Sequence, residues 1–198
     1  MDGALQVVVE MTENIWQRVR NDLEDVTAEE VNWRPLPQAN SIALIVRHLC
    51  IEAQWHQASL ERGEPMPHEL NEDFQRQIDS VPLDFEQNLK TFEEAYASFL
   101  AALRKMTLVG LQQRSEAAYQ GWPSHSAHFL GFHQAMHVSR HWGQIRTIRN
   151  LYRKTRGEPA RFVPDNPTFP KREPDNPQME PTPDENHAPR VSANSLGR

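Results

Sequence analysis

The stripe Phe85, Leu89, Phe92, Tyr96, Phe99, Leu103 and Met106 limits the fold of this chain more than any other feature. Its intervals alternate four and three residues, which is the period of one helix face and not of a strand. Three other segments repeat the pattern. Leu5, Val8, Thr12, Ile15, Trp16, Val19 and Leu23 predict a first helix from Ala4 to about Asp25. Asn40 or Ser41 is placed to cap a second, ending near Arg62, where Gly63 suits a C-terminal cap and Pro65 and Pro67 block continuation. The opening stripe is the third helix, begun by Ser80 and Pro82 and ending near Thr107. A fourth runs from a cap at Ser124 to about Arg156, where Gly157 and Pro159 stop it. Four long amphipathic helices and no strand-like alternation make an all-α four-helix bundle the expected fold.

The connections carry their own signals. Thr27-Ala-Glu-Glu30 is a capping-box pattern that predicts one short helical turn. Asn32 to Asn40 cannot stay helical, because Pro35 and Pro37 remove donors and restrict the residues before them. Residues 64–79 read as polar loop, and Leu108 to Pro123, with Gly110 and Gly121, as a connection. The links between the first and second and between the third and fourth helices are long enough for non-trivial topology.

Hydrophobic residues make up 38% of the chain, below the roughly 45–50% usual for a compact domain. The deficit is local: nine of the fifteen prolines lie between Pro159 and Pro189. Residues 1–156 are therefore expected to form the bundle, and 157–198 an extended or disordered proline-rich tail, in which Pro164-Asp-Asn-Pro167 recurs as Pro174-Asp-Asn-Pro177.

A net charge of −6 and a pI near 5.8 argue against a nucleic-acid partner. The nearest thing to a basic patch is Arg140, Arg146, Arg149, Arg153, Lys154 and Arg156, read as the solvated, cation-rich end of the fourth helix. A single cysteine, Cys50, allows no internal disulfide and reads as a small core residue. The first residues have no basic leader, and no apolar run approaches the roughly 18 residues that span a bilayer, so a soluble cytoplasmic protein without a membrane partner is expected.

Chemistry concentrates in FHQAMHVSRHWGQIRTIRN. There His133, His137 and His141 stand four apart, on one face of the fourth helix with Leu130, Gln144, Ile148 and Leu151. In the second helix Ser41, Leu44, Ile45, His48, Glu52 and Trp55 share a face. Each histidine alone reads as a polar core residue bonded to a carbonyl or carboxylate. Several in one core stripe are costly to bury without a common partner, and a divalent cation satisfies them together. His48, His137 and His141 are the expected metal ligands, a histidine triad with open positions. Imidazole donors suit zinc or nickel first and also admit iron or manganese. His133 is a second-choice ligand or a catalytic group just outside. Gln144, a turn from His141, is placed to orient it or a bound water. Glu52, a turn past His48, reads as a fourth ligand, a partner of a ligand or a general base, or as an ion pair with an arginine on a helix rim. The spacing is not HExxH, since Val138, Ser139 and Arg140 stand between His137 and His141. His56, His68, His125, His128 and His187 lack such an arrangement and read as surface or loop residues. Trp55, Trp122 and Trp142 are candidates to line a pocket near the metal, or simply packing.

Three segments resemble the DinB-like (DinB/YfiT-like) family of four-helix metalloproteins. They are Asn32-Trp-Arg-Pro35 through Ser41-Ile-Ala-Leu44, then Arg47-His48-Leu49, and His137-x-x-x-His141-Trp-Gly-Gln144-Ile145. The likeness spans roughly residues 4–156. It implies a bundle with a long crossover, often a homodimer, and a divalent metal on the histidines matching His48, His137 and His141. Some such proteins are S-transferases using low-molecular-weight thiols such as bacillithiol or mycothiol, where the metal deprotonates the thiol. The residues themselves leave two main classes open. One is a metal-dependent enzyme, transferase or hydrolase, that activates a thiol or water for a small-molecule substrate with help from Glu52 or His133. The other is a non-catalytic, metal-stabilised module for dimerisation or partner binding. A metal-free polar core is the third reading.

Overall fold

The computed structural model describes residues 3–67, 72–120 and 130–160, all within the unit Met1–Arg161. Ser124, Trp122, His68, His125, His128, His187 and the tail beyond residue 160 lie outside the described residues. The elements are α1 (Gly3–Leu23), α2 (Ala28–Asn32), α3 (Ile42–Arg62), α4 (Glu72–Ser80), α5 (Phe85–Leu103), α6 (Leu108–Ala118) and α7 (Leu130–Thr155). All regular structure among the described residues is helical, and the four long helices α1, α3, α5 and α7 form the expected bundle.

Local chemistry sets several ends. The Ser41 hydroxyl accepts from the Leu44 N–H at 3.3 Å and starts α3, and Gly63, at φ 72°, ends it in the left-handed region that only glycine enters freely. Thr27 caps α2 by accepting from Glu30 N–H at 3.2 Å, as the capping-box pattern predicts. Three expectations are corrected. Residues 64–79 are not all loop: α4 occupies Glu72–Ser80, a short helix whose Ile78 is buried against Ile51. The cap of α5 is Asp84, which accepts from Gln87 N–H at 3.0 Å, and not Ser80. The segment after α5 is not a bare connection either. Thr107 accepts from Gly110 N–H at 3.0 Å and starts α6, so the glycine sits in a first turn rather than breaking a helix.

The order around the bundle is α1, α7, α3, α5, so α1 and α3 lie across one diagonal and α5 and α7 across the other. Directions follow from paired residues. Arg20 reaches Glu93 and Arg104 reaches Glu13, so α1 and α5 are antiparallel. His48 meets His137 and His56 meets His133, so α3 and α7 are antiparallel as well. The result is an up-down-down-up bundle in which α2 and α6 ride on the two diagonal crossings and α4 on the return between α3 and α5.

Phe92, Tyr96, Phe99 and Leu103 of α5 fill the centre with Ile42, Ile45, Leu49 and Leu60 of α3, Leu5 and Val19 of α1, and Leu130, Val138 and Ile145 of α7. Each such side chain contributes about 1.5–3 kcal/mol when fully buried. Gly131 lets α1 approach α7: a Cβ there would meet Val8 Cγ1 at 2.9 Å. Cys50 is buried as expected, and burial raises its thiol pKa.

The cationic end of α7 is not simply solvated. Arg149 is buried, its Nε donating to Glu30 Oε1 at 2.7 Å, with Asp25 Oδ1 3.0 Å from Nη2. Arg146 pairs with Asp22 at 3.1 Å, and Trp142 Nε1 donates to the same carboxylate at 2.8 Å. These contacts clamp α2 and the end of α1 onto α7. Leu151, placed on the inward face by the period, is exposed instead; Arg149 and Tyr152 take the buried positions.

Candidate metal centre

Two ladders of side chains face each other across the antiparallel α3–α7 contact. On α3 they are His48, Glu52 and His56, each four residues on; on α7 they are His141, His137 and His133 in the opposite sense. Four-residue spacing puts each set on one helix face. Antiparallel packing therefore matches His48 with His137 and His141 at one level, and His56 with His133 at the next.

At the first level three Nε2 atoms converge. His137 Nε2 lies 3.0 Å from His48 Nε2 and 3.1 Å from His141 Nε2, and one nitrogen from each ring lies within 4.8 Å of the others. A tetrahedral ion with bonds of about 2.0–2.1 Å needs its nitrogens about 3.3 Å apart. The two pairs through His137 are within a few tenths of an ångström of that spacing, and the third pair lies within 4.8 Å. His141 Nδ1–H donates to Gln144 Oε1 at 2.8 Å, which fixes the tautomer and leaves the Nε2 lone pair facing the centre. Burial holds all three imidazoles neutral, the state a metal requires. His48 is pushed down to about 4 by burial and then by His141. His137 lies well below its ordinary value, through burial first and the charges of four neighbouring histidines after it. His141 is lowered by burial, against the opposing Gln144 bond. The residues fit a divalent cation.

Glu52 is not on a helix rim with an arginine. It is 1% exposed, with Oε1 3.9 Å from His48 Nε2 and Oε2 3.6 Å from His56 Nδ1, and so lies between the two levels. His56 was expected at the surface and is fully buried. Its Nδ1–H donates to the Glu52 carbonyl at 2.8 Å, and its Nε2 lies 3.1 Å from both His133 Nδ1 and the Tyr119 hydroxyl. Tyr119 in turn lies 2.8 Å from His133 Nδ1. The His133 ring is stacked parallel to that of His137 at 6.1 Å. Burial drives His56 down to about 3, with His133 adding to the fall. The signal for His56 was present in the sequence as a second four-residue step from His48. Nothing local marks Tyr119, which the α6 crossing delivers. Trp142 is held by Asp22 and Trp55 packs with Ile51 and Ile78, so neither is needed to explain the centre.

An all-helical bundle with three convergent, neutral imidazoles at its core defines a class: helical proteins equipped to hold one divalent metal between two antiparallel helices. More narrowly, the model of the mycothiol-S-transferase family matches residues 7–154, and the chain belongs to that family, a DinB-like one, as the sequence resemblance implied. No curated protein and no solved structure matches it.

Proposed function

We propose that this chain is a metal-dependent S-transferase that joins a low-molecular-weight thiol, of the mycothiol kind named by its family, to a small electrophile. The observation that carries the reading is the convergence of His48, His137 and His141 Nε2, three imidazole nitrogens close enough together to hold one ion. Zinc or nickel suits the donor set first, with iron or manganese admitted. When bound, the cation supplies the Lewis acidity that brings a thiol's deprotonation near neutral pH. The protein's own groups do the rest. Glu52 faces the ligand level from a buried position and is the group placed to take the thiol proton and return it. His133, held by Tyr119 beside His137, is the second proton carrier.

The test is metal content of untagged protein together with thiol consumption against a model electrophile. One divalent ion per chain is expected, with thiol transfer that His141→Ala abolishes along with the ion while the helical signal stays. Glu52→Gln should keep the ion and lose about 10²–10⁴ in rate. Wild-type protein without metal, or transfer that survives His141→Ala, sinks the proposal.

A further inference from the structure

A cavity of about 510 Å³ opens beside the histidine triad, between the Pro35–Asn40 turn, Ile45 of α3 and the Arg140–Ile148 stretch of α7. Its size falls in the range of small-molecule sites, roughly 300–1,000 Å³. Gln144, which orients His141, is one wall, and Ile45 lies one turn before His48, so the cavity adjoins the metal level. Its lining is mainly apolar, through Pro35, Ala39, Ile45 and Ile148. Arg140 stands on the rim, and no carboxylate among the described residues pairs with it. Gly143 faces this space: a Cβ built on it meets no atom within 4 Å. Glycine in a helix costs about 0.5–1 kcal/mol relative to alanine. No positive φ requires it here, and any side chain at this position would extend into open space at the cavity.

We infer that this cavity binds the electrophilic second substrate, an amphipathic anion whose apolar body lies against Ile45 and Ile148 and whose negative group meets Arg140. The inference rests on the transferase reading for the word substrate, but not for the binding itself. A carrier thiol engages the triad through sulfur, whereas an apolar cavity with one cation at its rim suits an apolar body ending in carboxylate or sulfonate.

The test uses two fluorescent probes on the full chain, 8-anilino-1-naphthalenesulfonate and its neutral counterpart N-phenyl-1-naphthylamine, with metal content and helicity recorded for each variant. One anionic probe per chain is expected. Gly143→Leu puts a side chain into the cavity and should weaken both probes at least tenfold. Leucine is the better helix former and its Cβ meets nothing, so the fold should hold; Gly143→Ala should give an intermediate loss. Arg140→Gln should weaken the anionic probe by about three- to tenfold and leave the neutral one unchanged. No binding by wild type, or binding indifferent to Gly143→Leu, overturns the site; equal effects of Arg140→Gln on both probes overturn the anion. Gly143-dependent binding in protein that transfers no thiol keeps the cavity and removes the transferase reading; transfer that Gly143→Leu leaves intact does the reverse.

Discussion

Acid should unfold the metal-free protein early, and the histidine burial gives the size. His48 falls to about 4 and His56 to about 3 in the folded chain, against about 6.5 once unfolded. Both pKa values are depressed on folding, so the unfolded chain binds more protons and stability is lost as pH falls below about 6.5. At pH 5 an unfolded imidazole is almost wholly protonated while these two remain neutral, and each withholds about 2 kcal/mol from the folded state relative to pH 8. The pair accounts for about 4 kcal/mol, a large share of a typical total of about 5–15 kcal/mol. His137 and His141 shift in the same direction and add to the loss. The ordinary carboxylate range lies below this window, so the histidines dominate it. Urea unfolding of chelator-treated protein at pH 8, 7, 6 and 5, followed by far-UV circular dichroism, reads the change directly. A free energy at pH 5 within 1 kcal/mol of that at pH 8 would show that these imidazoles titrate normally in the folded state and that burial does not pre-neutralise the ligand set.

Two further outcomes follow from buried polar contacts. Glu30→Ala leaves the buried Arg149 guanidinium without its closest carboxylate, and urea unfolding should show a loss of about 3–5 kcal/mol; a loss below 1 kcal/mol would mean that Asp25 and water take over. Tyr119→Phe keeps the ring but removes the hydroxyl between His56 Nε2 and His133 Nδ1. It should cost about 1–3 kcal/mol while leaving metal content unchanged, and loss of the metal would instead tie the two levels into one site.

Legibility in the sequence followed the range of the forces involved. The ends of α3 were readable because Ser41 and Gly63 act within one turn of themselves. The triad was readable because a four-residue step fixes a helix face whatever that face meets. The direction of α3 against α7 was not, since it depends on how α2 and α6 carry the chain across the bundle. Without it, the matching of the His48–Glu52–His56 ladder to His141–His137–His133 stays hidden, and His56 looks like any exposed histidine. Arg149 was misread for a related reason. Helix-end chemistry predicts a solvated cation there, and only the docking of α2 brings Glu30 close enough to bury it. The helices α4 and α6 were missed because each is short and neither carries a long apolar stripe of its own.

The two histidine levels differ in how their protons balance, and that difference leads to a test of the ligand set. At the lower level His56 Nδ1–H goes to the Glu52 carbonyl, the Tyr119 O–H can go to His56 Nε2, and a His133 Nδ1–H to the Tyr119 oxygen. That chain of hydrogen bonds closes without an ion. At the upper level Gln144 takes the His141 Nδ1 proton, so with His48 protonated on Nδ1 a single N–H on His137 Nε2 can serve His48 or His141 but not both. A cation on the three Nε2 atoms removes that conflict and moves the His137 proton to Nδ1, which is buried and has no partner among the described residues. Gln134, three residues earlier on α7 and fully buried, also has neither amide atom bonded among those residues. Residues three apart are neighbours on a helix, the same separation as that of His141 and Gln144. Metal loading should therefore draw the Gln134 amide oxygen onto His137 Nδ1–H. Gln134→Leu removes that acceptor at nearly equal volume, and it should weaken metal affinity about 10- to 100-fold in a competition titration against a chelator. The metal-free stability should hold or rise, because two unbonded buried atoms are gone. Unchanged affinity in Gln134→Leu would show that His137 binds the ion without this support, or that it is not a ligand.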